Sequence, residues 1–191
     1  MSILSRKRCI LGNMALFTGK GDKGTTTAFG CNQTRISKSS ELPEALGALD
    51  ELNAFIGFVK IKSADSERIG GILRDIQENL FIIQAETAGA DKKLKQGSVE
   101  KIANMVNDIE KEIPKITGFS IAGGTELSAL LDVARTLARR AERRITAVKE
   151  MNLRDLSDET MAYMNRLSSL LFALARLANQ EAGVAEESPR Y

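Results

Sequence analysis

The sequence predicts an all-α protein, a five-helix bundle that follows an irregular Gly/Thr-rich N-terminal loop. Two observations carry that prediction. Apolar residues recur at three- and four-residue intervals from Leu42 almost to the C-terminus, the period of helices with one buried face. The interruptions are short and rich in Gly, Pro, Asn, Asp or Ser, at 63–65, 89–97, 114–124 and 152–157.

Residues 1–14 carry Arg6, Lys7 and Arg8 ahead of a short apolar run at 9–11. That run is too short for a signal-peptide core, so no export is expected, and the segment reads as a dispensable extension or an upstream start. Residues 15–183 form the expected single domain, opening with a Gly-, Thr-, Lys- and Ser-rich irregular loop to Ser40. Helices are expected at 42–62, 66–88, 98–113, 126–150 and 158–182. Pro43 falls where a first-turn proline is tolerated, and Ser98, Thr125 and Ser157 are candidate N-caps. Short connections between long helices favour antiparallel neighbours. The tail 184–191, with Pro189, is expected to be loosely ordered unless a partner holds it.

Composition narrows the function. The 191 residues are 43% hydrophobic and 27% charged, enough for a core without crosslinks. No run approaches the ~18 to 20 apolar residues of a membrane span. A formal charge of +2 argues against nucleic-acid binding through bulk charge, so any anion must be held locally. The chain has no histidine, which removes imidazole bases, histidine-activated nucleophiles and histidine zinc sites. Cys9 and Cys31 match no metal knuckle and suit a reducing cytoplasm.

The run from Thr18 to Thr27 (Thr-Gly-Lys-Gly-Asp-Lys-Gly-Thr-Thr-Thr) concentrates backbone amides, hydroxyls and lysines that suit a polyphosphate. It is not a Walker loop, because Thr25 stands where the lysine would follow Gly24. The same run also fits a flexible entry segment. On the fourth helix, at about 100° per residue, Leu127, Leu131, Ala134, Ala138, Ala141 and Ile145 share a face. Arg135, Arg139 and Glu142 line one edge of it, with Glu142 able to orient an arginine, while Arg140 and Arg144 project from the other side. Such a ridge fits either an anion site or a solvated flank. Asp50, Asn53 and Gly57 make a polar stripe on the first helix, open to close approach by a backbone or ligand. On the last helix Leu167, Leu170, Leu171 and Leu174 form the core face. Asn165, Phe172, Arg176 and Asn179 form an outer one, either a second interface or a solvent face.

Five blocks together resemble the PduO-type ATP:cob(I)alamin adenosyltransferase family. They are Phe17-Thr18-x-x-Gly21-Asp22-Lys23-Gly24-x-Thr26, Gly47-x-x-Asp50-Glu51-Leu52-Asn53-x-x-Ile56-Gly57 and Gly123-Gly124-Thr125. Val133-Ala134-Arg135-Thr136-x-x-Arg139-Arg140-Ala141-Glu142-Arg143 and Asn165-Arg166-Leu167-Ser168-x-x-Leu171-Phe172-x-x-Ala175-Arg176 complete the set. The resemblance implies a homotrimer with active sites between subunits. It implies transfer of the 5'-deoxyadenosyl group of ATP to the cobalt of reduced cobalamin, with Mg²⁺ bridging the phosphates and tripolyphosphate released. ATP would be bound by Thr18, Gly19, Lys20, Gly21, Thr26, Thr27, Lys38, Arg139, Arg140, Glu142, Arg143 and Asn165. Arg135 and Arg139 would act on the phosphates, with Arg135 held by Asp50 of a neighbouring subunit. Phe119 would pack beneath the corrin and exclude a lower axial ligand. A reductase supplying cob(I)alamin and an acceptor enzyme for the product are the implied partners, with no nucleic acid or membrane. The chain departs from the family pattern at Asp132, where histidine is usual, and at Ile121-Ala122-Gly123, where Leu-Pro-Gly is common. A non-catalytic ATP-binding trimeric bundle, acting as an interaction or sensor module, is the alternative. A kinase is disfavoured by the missing Walker lysine.

Overall fold

The computed structural model describes residues 17–27 and 34–191. The 1–14 extension and both cysteines lie outside the described residues. Five helices follow one another: α1 (Glu41–Lys62), α2 (Glu67–Ala88), α3 (Ser98–Glu112), α4 (Glu126–Glu150) and α5 (Asp158–Glu181). Every boundary falls within one residue of the periodicity-based expectation.

Capping explains most of these ends. The Ser66, Thr125 and Ser157 side chains accept from the amides of Ile69, Ser128 and Thr160, satisfying donors that the first helical turn leaves open. Ser98 is not the cap expected of it. The chain turns at Lys95–Ser98, placing Gly97 at the cap and Ser98 already inside α3.

The N-terminal loop also holds more regular structure than expected. Strands β1 (Thr25–Thr27) and β2 (Arg35–Ser37) pair antiparallel, with Thr26 opposite Ile36. Consecutive β-branched threonines favour this extended pairing. Arg35 ties it to the glycine turn, donating from Nε to Thr25 Oγ1 at 2.7 Å and from Nη2 to the Lys20 and Thr25 carbonyls at 2.5 and 2.6 Å.

Helix α4 is central, packed against α1 on one side and α5 on the other; α2 lies on α1 and α3 on α5. Ala134, Ala138 and Ala141 are fully buried along α4 and let both neighbours approach closely, with Leu131, Ile145 and Val148 filling the ends. On the α1 side Arg140 pairs with Glu51, and Arg144 lies 3.8 Å from Glu41 and 3.5 Å from Glu44. A buried polar node joins α2 to α5: Glu86 accepts from the Ser157 amide at 2.8 Å, the Ser157 hydroxyl at 3.1 Å and the Thr160 hydroxyl at 2.6 Å. No described helix is long and apolar enough to cross a membrane.

Two expectations about helix faces are corrected. The space beside Gly57 on α1 is filled by Gln77, which donates to the Asn53 carbonyl at 3.1 Å, so that part of the stripe is internal packing. The outer face of α5 is not solvent-exposed at Arg176 and Asn179, which are only 7% and 5% exposed. The 114–124 loop and the C-terminal tail cover them, through contacts that helical periodicity does not encode. The tail, expected to be loosely ordered, is hydrogen-bonded within the chain: the Val184 amide donates to Asn179 O at 2.9 Å and the Ile121 amide to Glu187 O at 2.8 Å.

Candidate active site

The surface of α4 turned toward α5 and away from α1 carries the candidate site. Residues four apart stand one above the other on a helix, so Arg135, Arg139 and Arg143 rise from one side. Their neighbours differ. Arg135 donates from Nε to Asp132 Oδ1 at 2.9 Å, an i,i+3 pair that is mostly buried, and its guanidinium carbon lies 5.9 Å from the centre of the Phe172 ring. Its two terminal nitrogens, like the guanidinium groups of Arg139 and Arg143, have no hydrogen-bond partner among the described residues. Glu142 orients no arginine here; it accepts from Asn165 Nδ2 at 3.1 Å.

Two clefts open on this surface. One, of about 630 Å³, is walled by Ile116, Phe119, Phe172, Ser168, Arg135 and Arg139. Phe119 projects into solvent from the loop before α4 and is 80% exposed. The second, of about 350 Å³, is lined by Arg139, Glu142, Arg143, Thr146, Glu150 and Asn165. Arg139 belongs to both, so an aromatic cleft and a cationic cleft share one guanidinium.

The loop carrying Phe119 is fixed at the α4 end by a contact that the sequence reading missed. Asn179 of α5 accepts at Oδ1 from the Thr125 amide at 3.0 Å and the Thr125 hydroxyl at 3.2 Å, and its Nδ2 donates to Gly123 O at 2.9 Å. Gly124 sits between them at φ +98°, and a Cβ there would come within 2.5 Å of Asn179 Oδ1. The Gly-Gly-Thr block is therefore a steric requirement for docking the loop onto α5. Its signal was in the sequence, but its partner lies 55 residues further on.

The N-terminal group is assembled separately. Thr18, Gly19, Lys20 and Gly21 form the turn, Thr26 and Thr27 lie on β1, and Lys38 follows β2, its amide bonded to Gly24 O at 2.9 Å and its Nζ close to Gly21. Among the described residues no hydrogen bond or ion pair joins this group to α4 or α5. Arg140, held by Glu51, also stands apart from Arg139 and Arg143. Asp50 is exposed on α1, beside Leu46, Gly47 and Phe81, with no partner among the described residues. A single chain thus presents separate pieces of the expected site: the clefts on α4 and α5, the N-terminal loop, and an outward-facing carboxylate.

Comparison with known proteins follows the same lines. A family model described as cobalamin adenosyltransferase matches residues 16–178. The chain is 34% identical over 180 residues to a corrinoid adenosyltransferase of Bacillus subtilis, covering 91% of each protein. It is 38% identical to the corrinoid adenosyltransferase PduO of Salmonella typhimurium, covering 93% of this chain and 55% of that longer protein. Among solved structures, a variant PduO-type ATP:corrinoid adenosyltransferase from Lactobacillus reuteri, complexed with cobalamin and ATP, superposes with a TM-score of 0.84 at 29% identity, covering 92% of this chain and 97% of that one.

Proposed function

The chain belongs to the cobalamin adenosyltransferase family, and we propose that it transfers the 5'-deoxyadenosyl group of ATP to the cobalt of reduced cobalamin, releasing tripolyphosphate. The observation that carries this reading to the residues is the pair of clefts that share Arg139. One suits the broad apolar face of a corrin, the other a polyphosphate. The shared arginine stands where the two substrates must meet.

The chemistry suits a chain without histidine. The cobalt(I) electron pair attacks C5', the cobalt–carbon bond forms, and the C5'–oxygen bond breaks with its electrons leaving on tripolyphosphate. No proton is transferred, so the protein supplies proximity, charge stabilisation and a shielded corrin face. Arg139, Arg143 and the lysines Lys20 and Lys38 offset the charge that develops on the leaving group. Thr18, Gly19, Gly21, Thr26 and Thr27 contribute amides and hydroxyls, and Asn165, braced by Glu142, bounds the cationic cleft. Arg140, whose Nη2 pairs with Glu51, keeps Nε and Nη1 for the nucleotide. Phe119 covers the lower face of the corrin and keeps an axial ligand from cobalt.

A homotrimer brings the separate pieces together. Arg135 uses Nε on Asp132, which leaves its terminal nitrogens for a phosphate and for Asp50 of a neighbouring subunit. Among the described residues no cluster of three or more acidic or cysteine side chains is placed to hold a metal. These side chains do not fit a complete metal shell, and Mg²⁺ belongs to this reading only as the ion that accompanies ATP. A cytoplasmic setting, with a reductase upstream and an adenosylcobalamin-using acceptor downstream, completes the reading.

Cob(II)alamin with and without ATP provides the test. An ATP-dependent shift to the four-coordinate spectrum, lost in Phe119→Ala, is expected. ATP binding with no response from the corrinoid would instead favour a non-catalytic nucleotide-binding bundle.

A further inference from the structure

Arg176 of α5 is almost wholly buried although it carries a charge, and its three partners come from three different parts of the chain. Its Nε donates to Glu186 Oε1 in the tail at 2.6 Å, and its Nη2 donates to Pro114 O, at the start of the loop that carries Phe119, at 2.8 Å. Its guanidinium carbon lies 6.0 Å from the ring centre of Phe172, the aromatic that also faces Arg135. A buried guanidinium is tolerated only while paired, so these contacts depend on one another. A second tie lies beside the first: the Ile121 amide donates to Glu187 O at 2.8 Å. The tail is thereby linked to the loop on both sides of Phe119, and loop and tail together wall a cavity of about 500 Å³. The hydrophobic cores of α1, α2 and α4 take no part in this arrangement.

We propose that Arg176 is a positioning residue for the corrinoid half of the site: with Glu186 it clasps the C-terminal segment to the 114–121 loop and so sets where Phe119 stands relative to Phe172. This rests on the transfer reading above. Glu186 itself touches neither cleft that shares Arg139, and its effect runs through the loop.

The test uses the full chain with Glu186→Ala and Glu186→Gln. Without substrate, hydrogen exchange at the Ile121 amide is expected to rise about tenfold or more in Glu186→Ala, because a charge-assisted contact that holds the tail is lost. Exchange at Leu131 and Ala138 in the α4 core should stay at the wild-type rate. In turnover, KM for the corrinoid rises several-fold while KM for ATP is unchanged, and the ATP-dependent four-coordinate cobalt(II) signal falls. Glu186→Gln, which keeps an acceptor oxygen, recovers part of each effect. Unchanged Ile121 exchange in Glu186→Ala, or equal rises in both KM values, would overturn the clasp. If wild type transfers nothing while Ile121 protection still depends on Glu186, the transfer reading falls and the clasp stands as a structural tie only, which overturns its positioning role.

Discussion

Gly124→Ala would place a methyl group 2.5 Å from Asn179 Oδ1, at a φ of +98° that side chains rarely adopt. Two costs follow. The backbone strain is about 1 to 3 kcal/mol. The clash displaces the Asn179 amide and with it the bonds to the Thr125 amide, the Thr125 hydroxyl and Gly123 O, together about 2 to 4 kcal/mol at a net value near 1 kcal/mol each. The sum, about 3 to 7 kcal/mol, corresponds to a Tm lower by roughly 10 to 20 °C for a domain of this size. Urea unfolding of wild type, Gly124→Ala, Asn179→Ala and the double variant measures it. Alanine at 179 removes both the bonds and the obstacle, so the double variant should be less destabilised than the sum of the two singles, by about 2 kcal/mol or more. Additive losses, or a Gly124→Ala variant within about 1 kcal/mol of wild type, would refute the steric reasoning.

Other consequences are equally direct. Arg139→Met should leave Tm close to wild type and lower kcat/KM by about 10- to 100-fold, the loss of one charge-assisted contact to phosphate, read by steady-state kinetics in ATP. Asp50→Asn should weaken ATP use with the oligomer retained in sedimentation, and unchanged kinetics would count against its pairing with Arg135. Glu86→Ala should cost about 3 to 5 kcal/mol in urea unfolding, because it strips three hydrogen bonds from the start of α5. Burial, the main cause, pushes the Tyr163 phenol up to about 12, against a weaker opposing effect of the Asn79 hydrogen bond. A raised folded value means full stabilisation below the unfolded pKa near 10 and progressive loss as pH climbs toward 12, roughly 2 to 3 kcal/mol in all. Tyr163→Phe should flatten that alkaline decline in stability-versus-pH curves.

The helices could be read in advance because the three- and four-residue spacing of Leu, Ile and Ala is local information, as are the caps at Thr125 and Ser157. The Arg135 and Arg139 edge was visible for the same reason, whereas Arg143 entered only through the family resemblance. The hairpin was not, since strands of three residues carry little pattern and Thr25–Thr27 reads equally as phosphate donors or as part of a flexible entry segment. Arg176 and Asn179 stand at the angle on α5 that periodicity gives, and burial rules out the solvent-face alternative there, but the loop and tail that cover them are held by contacts between residues far apart in sequence. Gly124 shows the same limit, its need for a missing side chain being set by Asn179 rather than by its own neighbours. Among the described residues the N-terminal loop makes no hydrogen bond or ion pair with α4 or α5, and the proposed trimer is what would join it to the clefts.

One anaerobic incubation of the purified protein with cob(I)alamin, ATP and Mg²⁺ tests the proposed transfer most directly, with the visible spectrum and the phosphate products followed together. Light-sensitive adenosylcobalamin and tripolyphosphate in equal amounts are the expected result. ADP, or bound ATP with neither product formed, would contradict it.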